Sequence, residues 1–255
     1  MTKYRRAPNP SLSALVIALL GLAFPAMARQ QQPSQAQPLP APSQSVEKKN
    51  DDPENKTNEE TGTTNQRLFG VLPNFLTVEN AKNTPLLTSG QKYKLVARVS
   101  FDAVEYPYVG FLALISQAED SEPGFGQGAK GYGKRYGASF ADNTVASFMT
   151  GAILPSILHE DPRYYQLGKG GFTRRAGYSL SRIFITRSDS GRNEFNFSEI
   201  AGNAMMAGIS NAYHPASDRT VGNTMSVWWT QILWDAVANE AREFWPDIHR
   251  KLRKK

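Results

Sequence analysis

Four side chains have the types from which hydrolytic or metal chemistry is built: His159, Glu160 and Asp161, contiguous in ILPSILHEDPRYYQLGKGG, and the distant His214. An imidazole and carboxylates gathered around one water would make a general base, and the same set would offer nitrogen and oxygen donors to zinc. Either chemistry needs these residues to converge in space, because the chain has no HExxH and no second local histidine pair. The flanking residues support another reading. The apolar run before His159 predicts a helix, Pro162 disfavours helical backbone at Asp161, and a cationic His159 in a last turn suits the helix dipole. The triplet therefore reads first as a helix terminus, with Tyr164 and Tyr165 packing after the turn. No catalytic residue and no metal ligand is assigned.

Two glycine patterns resemble phosphate cradles. Gly126-Gln127-Gly128-Ala129-Lys130-Gly131 fits GxGxxG, and Gly128 through Lys134 approaches the P-loop. The first works only between a buried strand and a helix, and QAEDSEPGF is not such a strand. In the second, Arg135 stands where a magnesium-binding Ser or Thr is required. No nucleotide and no cofactor is expected. Gly177-Tyr178-Ser179-Leu180-Ser181 lacks the final glycine of a nucleophile elbow. The stretch RSDSGR sets Arg187 and Arg192 beside turn amides that can hold an anion, although a solvated loop accounts for it as well.

The elements that would position these residues are mostly helical. Thr88-Ser89-Gly90-Gln91 has the capping-box form, and Tyr93, Val96, Ala97, Phe101 and Val104 follow at helical spacing. Tyr93 to Ala103 also alternates as a strand would; the cap and the uninterrupted length favour helix. Pro107 starts a second segment reaching about Ala118. A glycine-rich lead-in then opens a long helix with Gly133, Gly137 and Ala141 four apart on one face, kinked at Pro155. Residues 174–187 predict a basic helix with a buried stripe of Ala176, Leu180, Ile183 and Phe184. Ala204, Gly208 and Ala212 repeat the small-residue face. The last helix, capped by Ser217-Asp218-Arg219, carries Met225, Trp228, Trp229, Ile232, Leu233, Val237, Ala241 and Phe244, and Trp245-Pro246 ends it. The expected fold class is mainly α: a compact bundle of about five or six helices with small-residue packing faces, behind a disordered linker.

Lys3, Arg5 and Arg6, the apolar residues 12–24 and Pro25-Ala26-Met27-Ala28 form a secretory signal peptide cleaved after Ala28. Residues 29–66 read as a Pro/Gln-rich and then charged linker that buries too little to offset chain entropy. Residues 67–255 form the single helical domain. Loss of the leader leaves 26 basic against 23 acidic residues, so the apparent basicity nearly vanishes apart from the terminal RKLRKK, which suits anionic lipid. Export argues against nucleic acid as a partner. The absence of cysteine excludes a disulfide framework and thiolate metal sites.

The motifs FGVLPNF, GYGKRYG, HEDPRYY, SRIFITRSDSG, YHPASDR and EFWPDI together resemble a family of exported proteins from environmental bacteria. The resemblance spans residues 69–252 and implies no activity, ligand or site residue. Three classes follow. A nonenzymatic scaffold or binding protein, periplasmic or envelope-associated and touching a membrane surface or an envelope component, fits the leader, linker and tail. A membrane-embedded bundle would use residues 143–158, 200–217 and 220–234, which carry no Asp, Glu, Lys or Arg but fall short of a full span and include Asn, Thr, His and Pro. A hydrolase would require His159, Glu160 and Asp161 to meet His214.

Overall fold

The computed structural model describes residues 53–64, 66–79, 81 and 84–252, so the expected signal peptide and the linker up to residue 52 lie outside them. Helix α1 is Pro53–Thr61. The short strands β1 (Arg67–Leu68), β2 (Leu72–Pro73) and β3 (Thr77–Val78) lead to α2, Ser89–Ser100. There Thr88 accepts the Gln91 N–H at 3.3 Å while the Gln91 side chain accepts the Thr88 N–H at 2.9 Å, a closed capping box. The adjacent Leu95 and Val96 are both buried, as a helical face allows and the alternation of a half-buried strand does not. The buried face differs from the expected stripe: it is Lys92, Leu95, Val96 and Ser100, and Tyr93 and Phe101 lie at the surface.

Helix α3 (Glu105–Glu119) takes Pro107 in its first turn, where no intrahelical N–H is needed. After a 3-10 turn, α4 (Gly128–Phe148) runs into a π turn, Met149–Ile153, and then α5, Leu154–Leu158. Pro155 has no N–H and its ring crowds the preceding turn; the wider π turn, with the Leu154 N–H reaching the Met149 carbonyl, accommodates it. Strands β4 (Glu160–Asp161) and β5 (Tyr164–Tyr165) precede α6, Phe172–Ser181. The hairpin β6 (Ile185–Ser188) and β7 (Asn193–Phe195) precedes α7 (Phe197–Ser210) and α8 (Val221–Leu252). β3 pairs in parallel with β5, and β4–β6–β7 form an antiparallel sheet. Six described helices of ten residues or more build a mainly α fold, as expected. Its apolar centre joins Leu95 and Val96 of α2, Val109 and Ala113 of α3, Ala152 of the π turn, and Met206 and Ala207 of α7.

Four expectations are corrected. Described structure precedes Arg67, in a stretch read as linker: α1, Pro53–Thr61, and the turn after it are held by polar contacts. Thr57, Asn58, Thr61 and Thr63 are buried, and Arg163 donates to the Thr61 carbonyl. The helix expected over residues 174–187 ends at Ser181; Arg175 and Ser179 face inward, and Leu180 and Phe184 are exposed. Trp245-Pro246 does not end α8. The carbonyl of Arg242 that Pro246 frees accepts the Gln166 side-chain amide at 2.7 Å, so the helix continues through the proline. Finally, the small-residue faces are not the tight crossings. A Cβ on Gly133, Gly137 or Gly208 would meet nothing within 4 Å. The contact glycines are Gly151, where a Cβ would lie 2.6 Å from Val96 Cγ2, and Gly202, where one would lie 2.9 Å from Thr150 Cγ2.

Candidate functional site

A polar cavity of about 160 Å³ opens between the π turn, β4, the β6 strand and the facing sides of α7 and α8. Its β4 wall is already fully used. Glu160 accepts the first backbone amides of α7, Phe197 N–H at 3.1 Å and Ser198 N–H at 3.0 Å, placing a carboxylate against the positive end of that helix. Asp161 accepts from the backbone and guanidinium of Arg163 and from the Tyr165 hydroxyl, the last at 2.6 Å. Burial, and then the Asp161 charge, raise the Tyr165 phenol far above its ordinary range. Behind this wall the buried Lys92 ammonium donates to the Pro155 and Glu160 carbonyls and to the Asp189 carboxylate, tying α2 to α5, β4 and the hairpin turn.

The two histidines stand elsewhere. His159 caps α5 in the left-handed region (φ 58°), so the triplet is indeed a helix terminus, and its side chain is 83% exposed. His214 lies between Glu122 at 2.9 Å and Asp142 at 3.0 Å, against the Phe125 ring. Burial alone would lower its pKa, but the hydrogen bonds to Asp142 and Glu122 override that and raise it to about 10. Neither histidine lines the cavity that Glu160 and Asp161 border, so the structure does not assemble the His159, Glu160, Asp161 and His214 set. Among the described residues no three His, Asp or Glu groups are placed to hold a metal.

The glycine pattern at 126–131 also has a structural task. The chain supplies α3 and a 3-10 turn before it, not a strand. The carbonyl of Gly126 points at the fully buried Arg135, whose guanidinium also donates to Gln117, Asp120 and the Glu122 carbonyl. Gly131 must be glycine, since a Cβ there would lie 2.2 Å from that same Gly126 oxygen. The loop thus turns a carbonyl toward a cation.

The opposite wall of the cavity was not found in the sequence. Glu199 of α7 and Asp235 of α8 hydrogen-bond each other, and the Asn203 amide donates to both, at 3.0 and 3.2 Å. Burial, then the Asp235 charge, hold Glu199 well above the usual carboxylate range; burial raises Asp235 as well. Burial thus favours the protonated form at this pair of hydrogen-bonded carboxyl groups, with Arg242 beside them. Arg182, Arg187, Asn196, Ser198 and Asn239 complete the lining. Such residues at the inward positions of α7 and α8 read in sequence as solvated polar spacers between apolar ones.

The exterior reverses the usual distribution. No Asp, Glu, Lys or Arg occurs in residues 106–118, 200–217 or 220–234. The outward side chains there include Phe111 (58% exposed) on α3, Met205 and Ile209 on α7, and Met225, Trp229 (57%) and Leu233 on α8. Residues Ala204, Gly208 and Ala212 share this outer face. Inside, Lys92, Arg135, Glu160, Asp161, Arg163, Arg175 and Glu243 are all buried. No described helix is long and apolar enough to cross a membrane. In comparisons with known proteins, no family model, curated protein or solved structure matches the chain.

Proposed function

We propose that the protein is a nonenzymatic scaffold or binding protein of the cell envelope, exported with its leader removed, that seats the outer faces of α7 and α8 on a lipid surface. The observation that carries this reading is the run of exposed apolar side chains on two helices that pack against each other, with no Asp, Glu, Lys or Arg from 200 to 217 or from 220 to 234. Contiguous apolar surface of this kind marks an interaction face, and aromatic and aliphatic groups on one side of a helix suit the headgroup boundary. The arrangement favours resting on a bilayer over spanning it. The basic residues at the carboxyl terminus add attraction to anionic lipid.

Cosedimentation of the chain from Arg29 onward with vesicles of phosphatidylethanolamine and phosphatidylglycerol tests the proposal. The parent should pellet with the vesicles, and the Met205→Glu, Trp229→Glu double variant should stay in the supernatant with an unchanged circular dichroism spectrum. A parent that stays in the supernatant as a monomer removes the reading. A parent that stays there as a dimer assigns the face to a second copy instead.

A further inference from the structure

We propose that the cavity is a binding site for a small oxyanion, a carboxylate or phosphate group, gripped by Arg182 and Arg187 together with the Ser198 hydroxyl. Four arginines and four carboxylates line the space: Arg163, Arg182, Arg187 and Arg242 against Glu160, Asp161, Glu199 and Asp235. Asp161 is taken by Arg163, and Glu160 by the amides that open α7. Glu199 and Asp235 hydrogen-bond each other and face Arg242. Arg182 and Arg187 are left over. Among the described residues neither has a carboxylate within salt-bridge distance.

Both guanidinium groups are nonetheless held in place. Arg182 follows the last turn of α6 and lies over the Tyr178 ring at 4.8 Å; Arg187, on β6, lies over the Tyr165 ring at 4.1 Å. Stacking on an aromatic face fixes the plane of a guanidinium and leaves N–H groups along its edge for a planar or tetrahedral oxyanion, and Arg182 also meets the Tyr178 hydroxyl. The Asn196 side chain holds the Arg182 carbonyl at 3.1 Å and also caps α7, which ties the arginine to the start of that helix.

Unsatisfied donors give a second, independent observation. The Ser198 hydroxyl, on a residue only 1% exposed, has no partner, and neither does the buried Nε of Arg182. Buried polar groups are almost always paired, so unpaired ones on the wall of a polar cavity mark a place meant to be filled. A space of about 160 Å³ offers on the order of ten water positions, enough for a compact anionic ligand.

Titration calorimetry of the whole purified chain with inorganic phosphate and, separately, with acetate, in a buffer free of both, tests the site. Saturable one-to-one binding of at least one anion is expected. It should weaken about tenfold or more in Arg187→Gln and Arg182→Gln, and measurably in Ser198→Ala. Arg192→Gln, on the exposed hairpin turn, should bind as the parent does. Tighter phosphate binding points to a phosphoryl ligand, tighter acetate binding to a carboxylate, and equal binding to recognition by charge alone. The proposal is overturned if neither anion binds saturably, or if Arg187→Gln and Arg192→Gln are indistinguishable. Should Arg182→Gln fail to fold, Arg187→Gln and Ser198→Ala decide the matter.

Discussion

On the β4 wall of the cavity Asp161 receives two donors from Arg163, a backbone N–H and a tyrosine hydroxyl; on the α7–α8 wall Glu199 has a neighbouring acid and one asparagine amide. The residue types are alike and the surroundings opposite. Both oxygens of Asp161 are engaged by donors, and the residue holds the chain in place. Glu199 has burial and a second acid around it in place of a hydrogen-bonded cation, and both favour its neutral form. Partner count separates the wall that builds the protein from the wall that remains available to a ligand.

The comparison breaks most sharply if one carboxylate is removed from each wall. Asp161→Ala leaves the Arg163 guanidinium, 1% exposed, without its charge partner and should cost about 3–5 kcal/mol in denaturant unfolding at pH 7. Asp235→Asn replaces one acid of a hydrogen-bonded pair with an amide and should change stability by no more than about 1 kcal/mol. Comparable losses would erase the distinction between the walls.

A carboxylate outside the cavity sharpens it. Glu105, at the start of α3, is raised to about 7 by burial and then by the nearby Asp102 charge. The fold therefore favours its neutral form: that stabilisation is complete below the ordinary glutamate range near 4.5 and is lost as pH rises through 7. Glu105→Gln should match the parent in urea midpoint at pH 4 and exceed it at pH 8. Equal midpoints at both would mean that burial without partners does not govern this acid.

The smallest effects concern space rather than charge. Gly137→Ala, on an open helical surface, should stabilise by up to about 1 kcal/mol, whereas Gly202→Ala, against Thr150, should destabilise by about as much. Thermal unfolding of the pair reads the two signs directly, and matching signs would undo the placement of the tight crossing.

Much of the frame was legible in the sequence. Thr88 and Gln91 announced α2, and Pro162 announced the end of α5, because caps and breakers act through their own backbone. Which face of each helix turns inward was less legible. Patterning puts ionised residues outside, so Lys92 on α2, Arg175 on α6 and Glu243 on α8 were passed over, and Tyr93, Leu180 and Trp229 were turned inward in their place. Nothing within α2 reveals that Lys92 will meet Asp189, 97 residues later. The turn after α1 was missed for the same reason: it is held by a guanidinium 102 residues away, not by apolar surface of its own. Of the candidate site, Glu160, Asp161 and Arg187 were named in advance and the α7–α8 wall was not, since Glu199 and Asp235 acquire their meaning only when two helices meet.

The proline within α8 sets an index mark on a rod that otherwise looks the same from turn to turn. Nearly every interior carbonyl of a helix is occupied by the N–H four residues on; at Arg242 alone Pro246 leaves one vacant, and Gln166 fastens there. A slip of α8 by one residue would carry that oxygen about 1.5 Å along the axis and about 100° around it, out of reach of the amide. The longest described helix is thereby keyed to one register against its neighbours, and the alignment of Asp235, Asn239 and Arg242 along the cavity follows from that key.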